Sequence, residues 1–169
     1  MPYRINVDGL QEVSEMLTRL ESRAGTAASK GLYDGAGLMA ETIKRGAETI
    51  VTEPFHYAAV NGVTTRYPSP EEKEIILNAS AGIAKFDKNG AEVNTSVGYR
   101  NAGYAMLKGK RKPIPLIVNS VNSGTSFMKK QPFVRKAARS GAEKCMKAIK
   151  ETIEAEFEAM TKETGGTKT

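Results

Sequence analysis

The chain has 169 residues, 40% of them apolar and none of them Trp, with a net charge of +6 and one cysteine. That length suits one domain with a single modest core; Cys145 alone excludes an internal disulfide and a thiolate metal cluster, and no apolar run is long enough to cross a bilayer. The charge is uneven, because Lys108–Lys150 carries twelve Lys/Arg against one acid, Glu143, a net +11 that leaves the rest of the chain at −5.

A chain divided in this way can bind a polyanion, can bind copies of itself head to tail, or can simply carry a solvated basic helix face. The opening "MPYRINVDGL" lacks a basic-then-apolar signal pattern, so maturation in the cytoplasm is expected.

Asp8 is placed to cap a first helix in which Leu10, Val13, Leu17 and Leu20 share a face at spacings of three and four. Gly25 interrupts that pattern, and Thr26 can cap a second helix with the stripe Leu32, Ala36, Met39, Ile43, Ala47 and Ile50. Its glycines, Gly31, Gly35, Gly37 and Gly46, each cost about 1 kcal/mol relative to Ala inside a helix. They mark either a close approach of a helix or subunit, or a frayed helix. Pro54 ends this helix, and 54–68 reads as an exposed, turn-rich loop. Ser69 can cap a short helix over Pro70–Leu77, with Pro70 at the first position and Glu71 and Glu72 in the first turn.

"GIAKF", a "DKNG" turn and "AEVNTSVGY" then read as a β-hairpin, with Ile83 and Phe86 on one strand and Val93, Val97 and Tyr99 on the other. Residues 100–113 read as an exposed basic loop. The segment "PLIVNSV" is a short helix or a strand, and its pattern does not separate the two. A polar turn at Asn122–Ser126 follows. From Pro132 to about Lys162 a helical pattern places Ala138, Ala142, Cys145, Ile149, Ile153, Phe157 and Met160 on one face. Its other face is basic in the first half and acidic in the second, and the tail 164–169 reads as mobile. The sum is one α+β domain over 1–169: a small antiparallel sheet built on the central hairpin, packed against N-terminal helices and a long C-terminal helix.

No catalytic constellation emerges. His56 is the single histidine, in a loop, and Cys145 lies on an apolar helix stripe about ninety residues away, where an inert buried thiol is the ordinary outcome. GxxxxGK[ST], GxGxxG after a strand, HExxH and CxxC are all missing. Glu71 and Glu72 are adjacent and point to different sides of a helix, and Ser126 in "GTSF" lacks the GxSxG elbow. A non-enzymatic protein with no cofactor and no metal is expected. The cluster Lys108, Lys110, Arg111, Lys112, Lys129, Lys130, Arg135, Lys136 and Arg139 could line phosphates. Aromatic interleaving and base-reading spacing are lacking, so contact with DNA would be independent of sequence.

The stretch "PLIVNSVNSGTSFMKKQPFVRKA" resembles the C-terminal signature of the gene-10-type tail-component family of long-tailed, lambda-like bacteriophages. In that pattern an apolar segment (Leu116–Val118) leads through a Gly-Thr turn (Asn122–Ser126) to a basic-Pro-Phe start (Lys130, Pro132–Phe133) of a closing helix. "INVDGLQEVSEMLTRL" is similar to the family's opening strand and helix, and "GIAKFDKNGAEVNTSVGY" to its central hairpin. The stretch Pro54–Pro68 departs from the family pattern by reading as an extended loop. The resemblance implies a structural subunit made in the host cytoplasm and built into the virion where tail meets head, in a ring of six. Its role there is tail completion and head-tail joining, or termination of tube growth.

Partners implied are further copies of the chain, tail-tube and head-connector proteins, and packaged DNA; no membrane is implied. The residues expected at a subunit interface or DNA channel are Lys108, Lys110, Arg111 and Lys112, then Asn122, Gly124, Thr125 and Phe127, then Lys129, Lys130 and Arg135. Gly124 is expected to supply an unusual backbone angle, and Phe133 to pack the first turn of the last helix against the sheet.

Overall fold

The computed structural model describes residues 10–52, 58–60, 63–89 and 92–165. The expected opening strand, Asp8, Pro54, His56 and the last four residues lie outside these. Among the described residues, four helices, α1 (Leu10–Glu48), α2 (Pro70–Asn78), α3 (Ile114–Ser123) and α4 (Phe133–Gly165), are joined by eight short strands. The strands are β1 (Ala58–Val60), β2 (Val63–Thr65), β3 (Gly82–Ile83), β4 (Asp87–Asn89), β5 (Glu92–Asn94), β6 (Val97–Gly98), β7 (Tyr104–Leu107) and β8 (Lys110–Pro113). They pair in four two-stranded antiparallel ladders, β1 with β2, β3 with β6, β4 with β5 and β7 with β8. The α+β class and the long closing helix expected from the sequence are both present.

The first expectation to fall is the break at Gly25. α1 is one helix of 39 residues. Thr26 is interior to it and donates to the Ser22 carbonyl at 3.1 Å instead of capping anything. The helix survives its glycines because α4 lies antiparallel along it. A Cβ on Gly31 would stand 2.9 Å from the Ile149 carbonyl oxygen, and one on Gly46 would stand 3.2 Å from that of Phe133. From α4, a Cβ on Gly141 would meet Thr42 at 3.1 Å. The glycines thus mark close approach between two helices of one chain. Gly37 and Gly25 face open space and serve no such contact.

That approach also moves the buried face of α4. Ala138 and Ala142 are exposed, while Ala137 and Gly141, one residue earlier, are buried together with Cys145. Phe157 is 44% exposed, whereas Ile149, Ile153 and Met160 are half-buried. Small residues face α1 here and let the helices lie close, and further along Ile149 and Ile153 pack over Gly35 and Gly31. An ion pair and a hydrogen bond continue the seam, Lys30 on Glu156 at 2.7 Å and Thr152 donating to Asp34 at 2.9 Å. α4 runs on to Gly165, so part of the expected mobile tail is helical.

The core lies at one end of this helix pair. Ile43 and Ala47 of α1, with Ile50 just beyond it, meet Ile76 of α2 and its C-cap Ala79, Tyr99, Leu107, four residues of α3, Met128, and Phe133 and Ala137 of α4. "PLIVNSV" resolves as helix because Ile114, Ile117, Val118 and Val121, at spacings of three, four and seven, are the residues buried in α3. α2 begins as expected. Ser69 accepts from the Glu72 N–H, the Glu72 carboxylate returns to the Ser69 N–H, and Pro70 occupies the first turn. Lys73 donates to the Glu48 and Ile50 carbonyls, both at 2.8 Å, and so satisfies the end of α1.

Two expected loops are hairpins. Part of 54–68 forms β1 and β2, with Val60 opposite Val63; the Asn-Gly between them in sequence is a hairpin signal. Within 100–113, β7 and β8 pair from Tyr104–Pro113 to Leu107–Lys110. Their two-residue turn, Lys108 and Gly109, has φ 51° and 73°, the left-handed pair that matches strand twist. The central hairpin forms in two pieces, β3–β6 and β4–β5, linked by Ala84 N–H donating to the Ser96 carbonyl at 2.7 Å; Asp87–Asn89, expected in the turn, are the strand β4, and Phe86 lies between the two strands β3 and β4.

Candidate functional site

The turn between α3 and α4 is built by local rules. Gly124 ends α3 with φ 77°, and a Cβ there would stand 2.7 Å from the Lys130 Cβ and 3.0 Å from the Met128 carbonyl oxygen. Glycine is therefore required on conformational and on steric grounds. Thr125 and Met128 exchange backbone bonds, the Thr125 N–H to the Met128 carbonyl at 3.0 Å and the Met128 N–H to the Thr125 carbonyl at 3.3 Å. Met128 points into the core, 3% exposed, which turns Phe127 outward at 58% exposed.

A second strand locks the turn from outside. The Arg66 N–H donates to the Phe127 carbonyl at 2.8 Å, and the Lys129 N–H donates to the Arg66 carbonyl at 2.9 Å. Lys129 lies over the Tyr67 ring, its Nζ 4.8 Å from the centroid and 2.8 Å from the hydroxyl. Gln131 ties the loop to the end of α1 by accepting from the Val51 N–H at 2.8 Å and donating to its carbonyl at 2.7 Å. Asn122 accepts from the Val134 N–H at 3.1 Å and so caps the start of α4. Phe133 is buried, edge-on to Tyr99 with ring centroids 6.4 Å apart.

Arg66 is itself fixed by α2. Its guanidinium forks onto Glu72, Nη1 to Oε2 and Nη2 to Oε1, both at 2.6 Å. Glu72 is 4% exposed. Burial by itself raises its pKa; the Arg66 fork and the Ser69 N–H outweigh this and hold the carboxyl below its ordinary value. Sequence reasoning found the cap but missed Arg66, Tyr67 and Gln131, which are distant in sequence from the turn they support.

The expected site residues divide into two groups. Asn122, Gly124, Thr125, Phe127, Lys129, Lys130 and Arg135 come together at the corner between α3 and α4. Lys108 and Lys110 stand at the tip of the β7–β8 hairpin and Arg111 and Lys112 follow along β8, which leads into the opposite end of α3. The ten residues of α3 separate the two ends by about 15 Å. At the hairpin, Arg111 stacks on Tyr104 with its Cζ 4.4 Å from the ring centroid, and the Lys108 N–H donates to Glu71 Oε1 at 3.2 Å. Lys108, Lys110, Arg111, Lys129, Lys130 and Arg135 are all exposed.

Cys145 is buried, and burial pushes its thiol pKa up, which suits packing rather than nucleophilic attack. Among the described residues no group of His, Cys, Asp and Glu is arranged to hold a metal ion, and no described helix is long and apolar enough to cross a membrane. No family model, no curated protein and no solved structure matches this chain.

Proposed function

We propose that this chain is a non-enzymatic structural subunit of a bacteriophage virion, forming a ring at the head-proximal end of the tail that completes the tail and joins it to the head. The ordered resemblance of its opening segment, hairpin and C-terminal signature to the gene-10-type tail components supports this reading. One observation carries it. Seven of the twelve basic residues in the basic third stand at two corners at opposite ends of α3 and the other five along the first half of α4, while acidic side chains outnumber basic ones in the rest of the chain. Such a distribution suits contacts in which different patches of successive subunits meet, as a ring requires. Six copies match the sixfold symmetry of tails, and tail-tube and head-connector proteins are the other partners.

Electron microscopy of particles from a phage or prophage lacking this gene tests the proposal. DNA-filled heads separate from free tails are expected, and tails of uncontrolled length would assign the ring to termination instead. Intact infectious particles would overturn the reading.

A second reading, sequence-independent DNA binding, is favoured by the exposed Arg135, Lys136, Arg139 and Lys144 along the first half of α4. It requires submicromolar binding to duplex DNA that weakens steeply with salt. Absence of binding at low salt would remove it. Both readings are compatible with a ring whose channel DNA crosses.

A further inference from the structure

A cleft of about 640 Å³ lies between α2 and the β7–β8 hairpin, on a different face of α2 from Glu72. It is lined by the apolar Ile75, Ala79, Ala105 and Ile114, by the exposed Met106, and by Glu71 and Glu74. The hollow exists because alanines stand where larger side chains would fill it. Nothing in the proposed function so far uses it.

At the other end of α3 stands its complement. Phe127 projects from a turn held by backbone bonds on both sides, with Lys129 and Lys130 following it. A large aromatic on a backbone already held in place, with two side-chain torsions to fix, loses little conformational freedom on docking. Its flanking cations match the acids of the cleft, of which Glu71 is shared with the Lys108 N–H. The two features lie about 15 Å apart along α3, so a chain cannot fill its own cleft.

We infer that the Phe127 turn of one copy seats in the α2–β7 cleft of the next, with Lys129 and Lys130 beside Glu71 and Glu74. This rests on the ring reading above and supplies its contact. The contact is heterologous, since knob and cleft are different surfaces, and it repeats from copy to copy until the ring closes.

The test uses two variants of the full chain, Phe127→Glu to remove the knob and a Glu74→Lys/Met106→Glu double to spoil the cleft. All three substituted side chains are exposed, so circular dichroism melting should match the parent. Sedimentation velocity up to millimolar concentration at low salt is expected to show oligomers for the parent and monomers for each variant alone, with association weakened about tenfold or more. Mixing the variants leaves one intact knob facing one intact cleft, so the mixture is expected to form dimers and stop. Parent chains that associate undisturbed by either variant, or mixed variants that stay monomeric, overturn this inference and leave the ring reading standing. Parent chains that remain monomeric throughout overturn both.

Discussion

Glu72 shows how one side chain ties a helix start to a distant surface. Its carboxylate accepts from Arg66 and the Ser69 N–H, and Arg66 in turn holds the backbone of the Phe127 turn. Because its pKa is lowered by folding from an ordinary value of 4.5, its stabilisation is fully present above that pH and fades as pH falls through the folded value. Glu72→Gln is expected to cost about 1.5–3 kcal/mol at neutral pH, since the charged hydrogen bonds from Arg66 are lost while Gln can keep the cap. Urea denaturation across pH should show the gap between variant and parent closing on acidification below about pH 4.5; a gap independent of pH would refute the assignment. Tyr99 presents the opposite case. Its hydroxyl is buried without a hydrogen-bond partner among the described residues, and burial raises its pKa. Tyr99→Phe keeps the edge contact with Phe133 and removes an unpaired polar group. Stability is expected to stay level or rise by about 1 kcal/mol, and a loss of that size would reveal a partner for the hydroxyl.

At the scale of elements, the α1–α4 seam is where sequence and structure part most clearly. Periodicity located α4 and the stripe from Leu32 to Ile50, because burial of large apolar residues writes itself at spacings of three and four. Gly31 and Gly141 carry no such mark: a helix buried through its smallest residues shows no apolar stripe there, and the stripe expected through Ala138 and Ala142 follows from that, whereas the break expected at Gly25 rested on helix propensity alone, which α1 overrides. The β7–β8 hairpin was hidden for a related reason, since its turn uses Lys108 where Asn or Asp is the usual signal. Of the candidate site, Gly124 and Phe133 were legible from local chemistry. The latch through Arg66, Tyr67 and Gln131 was not, because it joins segments far apart in sequence. Two alanine substitutions test the seam. Gly31→Ala sets a methyl against a carbonyl oxygen that cannot retreat without moving α4, and it should lower stability by about 1–3 kcal/mol. Gly37→Ala, on an open stretch of the same helix, should raise it by up to about 1 kcal/mol. Thermal unfolding of the pair decides, and equal effects would mean that the helices do not approach closely.

For the whole molecule, what matters is how a core confined to one end supports assembly. Core residues occupy the end of α1 and the start of α4, so the remaining 25 residues of α4, from Gly141 to Gly165, extend roughly 37 Å from it alongside α1. The basic corners sit at the core end, on turns fixed by backbone bonds, and can change charge without disturbing the packing beneath them. Reversing both Lys129 and Lys130 to Glu removes the stacking on Tyr67, an exposed interaction that contributes about 0.5–1 kcal/mol, and should leave the monomer folded. Ring assembly is expected to fail in that variant, and supplied in place of the parent gene it should yield separate heads and tails. Assembly of the parent should weaken as salt rises from about 50 to 500 mM, because the Debye length falls below 10 Å over that range. A folded double variant that still joins heads to tails would show that the basic corner is solvated surface, and that the charge asymmetry of the chain plays no part in assembly.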